Sequence, residues 1–148
     1  MNRIVVVIVA MLVMAVASCQ VGQQVQQEPG TKSGSILGTW ELVSYKYGNQ
    51  TKFSDFPKDR RRIKMVTATH SIWFEFETST KEIQSGAGGS YSLIGDTYTE
   101  SKDFAIGGMM GYLGKKHVYT VRVEGDKFTQ SGALSNGLKI EEIWHRVK

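Results

Sequence analysis

Few side chains of this sequence have the type and spacing that catalysis requires. The chain contains one cysteine, Cys19, and three histidines, His70, His117 and His145. The histidines do not stand at the i, i+2 or i, i+4 spacings of zinc ligands, and no cysteine lies near them. The Gly-x-Ser-x-Gly motif of a serine nucleophile is absent. The residue types therefore predict no catalytic residue, no metal site and no cofactor, and the protein is not expected to be an enzyme.

Two further patterns resemble phosphate-binding or acid–base chemistry. The run Gly107–Lys116 is rich in glycine, but Met109 and Lys116 stand where a phosphate-binding loop has glycine and Ser or Thr. Glu142 lies in an alternating segment and would need a partner if it faced inward, because an unpaired buried charge is costly. The alternative is that Glu142 is solvated on the outer face and Glu141 faces inward. An acid–base site would require Glu142, His70 and a tyrosine to converge in one cleft. The sequence favours a binding protein over an enzyme.

The N-terminus has the organisation of a secretory signal. Arg3 precedes the apolar run Ile4–Ala17, which is shorter than the about 20 residues of a spanning helix. The residues Val16-Ala17-Ser18 before Cys19 resemble the lipobox of bacterial lipoproteins, in which the cysteine becomes the first mature residue and carries acyl chains. The resemblance implies a signal peptide at 1–18 and a membrane partner through a lipid on Cys19. A plain secretory signal and an uncleaved anchor are the alternatives.

The segment after the cysteine predicts a tether followed by one domain. Residues 19–35 are rich in Gln and Gly and lack an apolar period, which is typical of a flexible linker. Residues 36–148 are enough for one domain. The formal net charge of +4 is mild, so no nucleic-acid partner is expected. Gln20, which is not acidic, favours the outer membrane of a bacterial cell envelope over retention at the inner membrane.

Alternation of apolar and polar residues predicts strands through most of the domain. The segments that alternate are Ile36–Tyr47, Thr69–Glu77, His117–Glu124 and Lys139–Val147. Two-residue turn signals favour hairpins between neighbouring strands; they are Gly95-Asp96, Gly125-Asp126 and Asn136-Gly137. The predicted fold is all-β, with a single antiparallel up-and-down barrel of about eight strands; a sandwich is the other arrangement of such hairpins.

A short repeat supports the hairpin prediction. The run Gly95–Ser101 matches Gly125–Ser131 in the order Gly-Asp-x-aromatic-Thr-x-Ser. It is too short to indicate a solenoid. We interpret it as one hairpin used twice.

One segment departs from the strand pattern. Ser54–Arg62 begins with residues that cap helices and has Pro57 near its first turn, which predicts a short helical turn after the first strand. Its run of three arginines, 60–62, is typical of a solvated helix end; binding to phosphate or anionic lipid is the alternative.

Gly38-Thr39-Trp40, at the start of the first strand, resembles the Gly-x-Trp signature of lipocalins and their calycin relatives. The span Gly38–Lys148, and especially Gly132–Arg146, resembles the small lipocalin-like domains of bacterial lipoproteins of unknown function. The resemblance implies that Trp40 closes one barrel end and that Arg146 lies over it. The sequence departs from typical lipocalins in lacking their Thr-Asp-Tyr motif and paired cysteines.

The resemblance also implies a binding function. It implies that a small, largely apolar ligand occupies the barrel interior. The residues expected to line that interior are His70, Ile72, Phe74, Tyr91, Tyr98, Tyr119, Glu142 and Trp144. Met109, Met110 and Tyr112 are expected either to cover the barrel mouth or to plug a small core. The alternative function is an envelope accessory or inhibitor lipoprotein with a filled barrel that acts through protein–protein contacts, its partner unknown.

Overall fold

The computed structural model describes residues 34–148. Within this range the chain forms ten β-strands, one 3₁₀ turn and no α-helix, and no helix in it is long and apolar enough to span a membrane. The elements in chain order are β1 (Gly38–Tyr47), β2 (Ser54–Asp55), β3 (Arg60–Val66), β4 (His70–Glu77), β5 (Ile83–Ile94), β6 (Thr97–Ser101), β7 (Phe104–Gly107), the 3₁₀ turn (Met110–Tyr112), β8 (Lys116–Glu124), β9 (Lys127–Ala133) and β10 (Lys139–Arg146). The predicted signal peptide, Cys19 and most of the tether lie outside the described residues.

Eight of the ten strands close into one antiparallel barrel. Each strand pairs with the next in the order β1-β3-β4-β5-β6-β8-β9-β10. Closure comes from β10 and β1, which place Trp40 opposite Arg146 and Tyr47 opposite Ile140. The short strands β2 and β7 pair with β1 and β5 outside this circuit. The all-β up-and-down barrel predicted from the sequence is therefore confirmed.

The predicted hairpin turns lie where strands meet. Gly95-Asp96 joins β5 to β6, and Gly125-Asp126 joins β8 to β9. Both glycines have φ near +60°, a backbone conformation that residues with a Cβ atom rarely adopt. The β9–β10 connection contains Asn136-Gly137, so all three turn signals mark real connections.

Apolar side chains fill one end of the barrel, which we call the Trp40 end. Trp40 is fully buried and packs on Phe128 at 5.3 Å between ring centroids. The Arg146 guanidinium lies 4.0 Å from the centre of the Trp40 ring and donates to the backbone oxygens of Leu37 and Ser35. This cation–π contact and the two hydrogen bonds fasten the chain before β1 across the barrel end.

The segment Ser54–Arg62 consists of β2, a turn at Lys58-Asp59 and the start of β3, so the predicted helical turn is wrong. Ser54 and Asp55 pair with β1, and β3 begins at Arg60. Along β3, Arg60 and Arg62 stand opposite Glu77 and Glu75 of β4. Both guanidinium groups form ion pairs with Glu75. These pairs, together with the ladder hydrogen bonds, stabilise a strand where local propensity indicates a helix. The interpretation of the arginines as a solvated helix end is wrong for the same reason.

The predicted alternation of residues along β4 is correct, but the face that the sequence assigned to the barrel interior points outward. His70 is exposed, and Ile72 and Phe74 share its face. Their neighbours on β3 are the exposed Met65 and the buried Ile63, which alternate with the cavity-lining Arg62 and Lys64. The placement of His70, Ile72 and Phe74 in the barrel interior is therefore wrong.

The inner face of β4 is polar because its charges have partners. Ser71 and Glu75 are buried. Ser71 Oγ donates to Glu100, and Glu75 accepts from Arg62. A buried charge is tolerated when it is paired and hydrogen-bonded, so the more apolar face of this strand was free to point outward.

Candidate functional site

The barrel contains a cavity of about 270 Å³ at the end opposite Trp40, which we call the cavity end. Tyr47 lies here, at the end of β1. The segments 108–115 and 134–138, which connect strands at this end, contribute to its wall. The lining residues are Tyr47, Arg62, Lys64, Trp73, Ser85, Lys102, Gly108, Met109, Tyr112, Tyr119, Leu134, Leu138, Ile140, Glu142 and Trp144.

One polar network occupies the β1–β3–β10 side of the cavity. Arg62 donates to Glu75 Oε2 from Nε at 2.9 Å and from Nη2 at 2.5 Å. Its Nη1 donates to the Tyr47 hydroxyl at 2.7 Å, and that hydroxyl donates to Glu142 Oε1 at 2.5 Å. Glu142 Oε2 accepts from the Trp144 indole at 3.2 Å. Glu142 therefore faces inward, as its alternation predicted, and both of its carboxylate oxygens have donors.

A second network surrounds Glu100 of β6. Glu100 Oε1 accepts from Tyr98 at 2.9 Å, from Ser71 at 3.1 Å and from Lys64 Nζ at 3.2 Å. Its other oxygen, Oε2, accepts from Lys102. All five side-chain groups belong to residues that are almost completely excluded from solvent. Glu100 is the central acceptor of this network.

Gln130 of β9 joins the two networks. Its amide oxygen accepts from Lys64 Nζ at 2.6 Å, and its amide nitrogen donates to Glu142 Oε2 at 3.2 Å. A continuous chain of hydrogen bonds therefore crosses the barrel interior from Glu75 to Lys102. Such networks hold side chains in single positions when every member is satisfied.

The charges of the second network depend on one another. Burial alone would raise the pKa of Glu100, but the Lys64 and Lys102 ammonium groups hold that pKa well below its usual range. Burial lowers the pKa of Lys64, an effect that the Glu100 carboxylate opposes. Burial, followed by the nearby Glu142 carboxylate, raises the pKa of the Tyr47 hydroxyl. Glu100 is ionised and Tyr47 is a neutral donor at neutral pH.

His117 of β8 is buried, and neither of its ring nitrogens has a hydrogen-bond partner among the described residues. Its ring lies between Tyr112 and Tyr119, with centroids 5.5 Å and 6.4 Å away. Burial, and then the positive charge of Lys102, lower the pKa of this imidazole. His117 is accordingly neutral in the folded protein at neutral pH.

The lowered pKa of His117 predicts a loss of stability in mild acid. As pH falls, the imidazole of His117 is protonated first in the unfolded chain, near its ordinary pKa of 6.5. The stability that comes from keeping this imidazole neutral is therefore fully present above that pH. It is lost as pH falls toward the pKa of the folded state. The slope for one proton is at most about 1.4 kcal/mol per pH unit. Urea unfolding between about pH 7 and about pH 5 should give a shallower pH dependence for His117→Leu, whereas exposed His145→Gln should match the wild type. An equal change of unfolding free energy with pH in the wild type and both variants would contradict the lowered pKa of His117.

Comparisons with known proteins inform the fold rather than the site. No protein-family model matches the sequence, and the curated proteins include no significant match. An uncharacterized protein from Bacteroides eggerthii DSM 20697 is 11% identical, with a TM-score of 0.55, over 76% of this chain and 100% of that chain. It shares the fold. A variant of the fluorescent protein UnaG is 9% identical, with a TM-score of 0.39, over 76% and 96% of the two chains.

The structure brings together five of the residues that the sequence predicted for the site or its mouth. Tyr119, Glu142 and Trp144 line the cavity, as do Met109 and Tyr112 of the predicted mouth loop.

The remaining predicted residues lie elsewhere. Tyr98 is buried beside Glu100, behind the cavity wall, and Met110 is exposed. Tyr91 is half-buried and donates to the Thr67 backbone oxygen near the Trp40 end. His70, on the outer face, is separated from Glu142, so the acid–base convergence does not form. The described residues contain no group of three candidate metal ligands.

Sequence analysis missed the cations of the site, although one signal pointed to them. The two copies of the short repeat place Glu100 and Gln130 at equivalent positions, two residues after Tyr98 and Phe128. Glu100 and Gln130 both contact Lys64 Nζ, and both aromatic rings have centroids 5.6 Å from it. The repeat therefore forms a matched polar and aromatic cage around one lysine.

Proposed function

We propose that this protein binds a small, mainly apolar molecule in its barrel cavity and does not act on it chemically. The observation that carries the proposal is the cavity of about 270 Å³ at one end of a closed barrel. Its volume is near the lower limit of known ligand sites. Aromatic and aliphatic side chains form most of the wall, with a few fixed polar groups among them, which is the composition typical of small-molecule sites.

The segment 108–115 has the properties of a cover for this cavity. Met109 and Tyr112 face the cavity, whereas Met110 points to solvent. The Tyr112 hydroxyl accepts from Asn136 Nδ2 at 2.9 Å, which ties the cover to the β9–β10 connection. We propose that a ligand enters between these two segments. Methionine suits this role because its flexible side chain adapts to different apolar shapes.

Attachment to a membrane is the second part of the proposal. The lipobox-like residues before Cys19 support a lipid on that cysteine, and Gln20 supports the bacterial outer membrane. A lipid anchor would hold the ligand-binding barrel at the envelope. Labelling of cells with a radioactive fatty acid should mark the wild type and leave Cys19→Ser unmarked; equal labelling would contradict the anchor.

A protein–protein accessory role is the second candidate, and the outer face of the barrel favours it. Two apolar rows cross β3, β4, β5 and β7: Met65-Ile72-Gly88-Phe104 and Ile63-Phe74-Gly86-Ile106. Phe104 and Ile106 are each almost half exposed and Met65 is more than a third exposed, whereas Ile63 is buried. Contiguous exposed apolar surface is typical of interaction sites. The cavity argues against the filled barrel that this candidate requires.

Met109→Ser is expected to weaken ligand uptake, because it removes an apolar side chain from the cavity wall. Isothermal titration with indole and octanol, two neutral apolar probes, should show an affinity loss of about threefold to tenfold. Met110→Ser is the matched control, since Met110 is the exposed neighbour and should bind as the wild type does. Loss of stability in Met109→Ser without a change in affinity would support a plug instead of a cover.

A further inference from the structure

Lys102 is a buried cation with unused hydrogen-bonding capacity at the cavity wall. It follows β6 and continues the inward alternation of Tyr98 and Glu100. Its backbone is bonded to Gly114 and Lys115, which fixes its position below the cover segment. Its ammonium group donates to Glu100, and the described residues offer it no second partner. An ammonium has three donors, so two of them remain available.

The other cations of the cavity wall have more partners than Lys102. Arg62 contacts Glu75, Tyr47 and Glu142. Lys64 donates to Glu100 and Gln130 and lies close to three aromatic rings. Lys64 therefore uses two of its three donors beside these rings, whereas Lys102 uses one. A ligand acceptor would therefore be recognised at Lys102.

Lys102 also shares its one carboxylate partner with a second lysine. Glu100 is shared between Lys64 and Lys102, so one carboxylate faces two ammonium groups. Gln130, the other partner of Lys64, is neutral. Glu142 is the one carboxylate among the described lining residues, and its oxygens are engaged by Tyr47, Gln130 and Trp144. Across the joined networks three carboxylates match three cations, so an added anion would be held by the unused donors of Lys102 rather than by a net charge.

His117 supplies a second unused polar group nearby. It pairs with Glu100 across β6 and β8, and it interacts electrostatically with Lys102. Its neutral ring has one N–H donor that no described residue accepts. Unsatisfied buried polar groups are rare in native proteins and indicate a missing partner.

We propose that the cavity takes a small amphipathic carboxylate whose head group accepts hydrogen bonds from Lys102. His117 packs against the lining residues Tyr112 and Tyr119, just outside the lining, and is the candidate for a second donor. The apolar part of the ligand lies against the lining residues Tyr119, Trp144 and Ile140. This inference rests on the proposed function and specifies the ligand class of the same cavity.

Isothermal titration with cinnamate and its neutral isostere cinnamamide tests the proposal on the full mature domain. The wild type should bind cinnamate about tenfold to a hundredfold more tightly than the amide, as expected for a hydrogen bond to a charged group. Lys102→Met should remove this preference, because it should weaken binding of cinnamate more than binding of the amide, whose carbonyl accepts a weaker hydrogen bond. Lys116→Met, which removes an exposed lysine on the adjacent strand, should retain it.

The outcomes separate the inference from the function on which it rests. Equal affinity of the wild type for acid and amide would overturn the anionic ligand and leave cavity binding intact. A preference for cinnamate that survives in Lys102→Met would overturn the assignment to Lys102. Binding of neither probe would overturn both proposals. The comparison of the two probes uses wild-type protein, so it holds even if Lys102→Met fails to fold.

Discussion

Replacing Glu100 by glutamine is expected to lower the free energy of unfolding by about 3 to 5 kcal/mol, the cost of leaving a buried charge without its partner. The glutamine keeps the size of the side chain and can still accept from Tyr98 and Ser71. It removes the negative charge between Lys64 and Lys102, both of which are buried. The loss should be smaller at about pH 9.5 than at about pH 7, because deprotonation of a buried lysine removes the unpaired charge.

Urea unfolding with two further variants checks this expectation. Glu124→Gln removes an exposed carboxylate that pairs with Arg122, and a surface pair of this kind contributes at most about 1 kcal/mol. Adding Lys64→Met to Glu100→Gln should restore part of the loss, since one unpaired cation is removed. A loss below about 1 kcal/mol for Glu100→Gln would show that water reaches these charges and that the network does not organise the interior.

Trp40→Ala is expected to destabilise the barrel by about 3 to 5 kcal/mol. Trp40 is fully buried, packs on Phe128 and lies beneath the guanidinium of Arg146. Its removal would leave a large void at the Trp40 end and would release the contact that fastens the chain before β1. Affinity for probes should change little in the protein that remains folded, because the cavity lies at the opposite end.

Trp73→Ala is the matched control at the cavity end. Trp73 lines the cavity and is only half-buried, so its loss should cost less stability than that of Trp40 and should weaken binding of cinnamamide. Urea midpoints and titrations of both variants give the comparison. Equal destabilisation by the two substitutions, with no difference in binding, would contradict the division of the barrel into a packed end and a binding end.

The fold was predictable because local signals agreed with the final pairing. In β8, Tyr119, Val121 and Val123 alternate with polar residues, and the structure buries all three. In β10 the same alternation correctly placed Glu142 and Trp144 inside. The turns at Gly95 and Gly125 require a positive φ, and the glycines that meet this requirement can be recognised in the sequence. The period-two pattern and the turn residues are sufficient to predict a strand and its inward side chains where the apolar face of the strand is the inner face.

The site was less predictable because its polar residues depend on partners far away in sequence. Arg62 and Lys64 of β3 are tolerated inside only because Glu75, Glu100 and Gln130 reach them from other strands. The sequence of one strand does not reveal that its inward charges have partners on other strands. The sequence therefore predicts that the apolar face of β4 points to the interior. The helix prediction failed in the same way, since the arginines of β3 are stabilised by β4 rather than by a helix end.

Native mass spectrometry of residues 20–148, purified without detergent from a bacterial periplasm, tests the central claim of a ligand-binding cavity most directly. We predict a reproducible extra mass that organic extraction removes, and that carries a carboxylate when identified. The mass should be reduced in Leu134→Trp, which enlarges a side chain of the cavity wall, and retained in Leu93→Trp, which enlarges an exposed one. A bare protein mass that also remains unchanged after incubation with a panel of small acids, amides and lipids would contradict the claim.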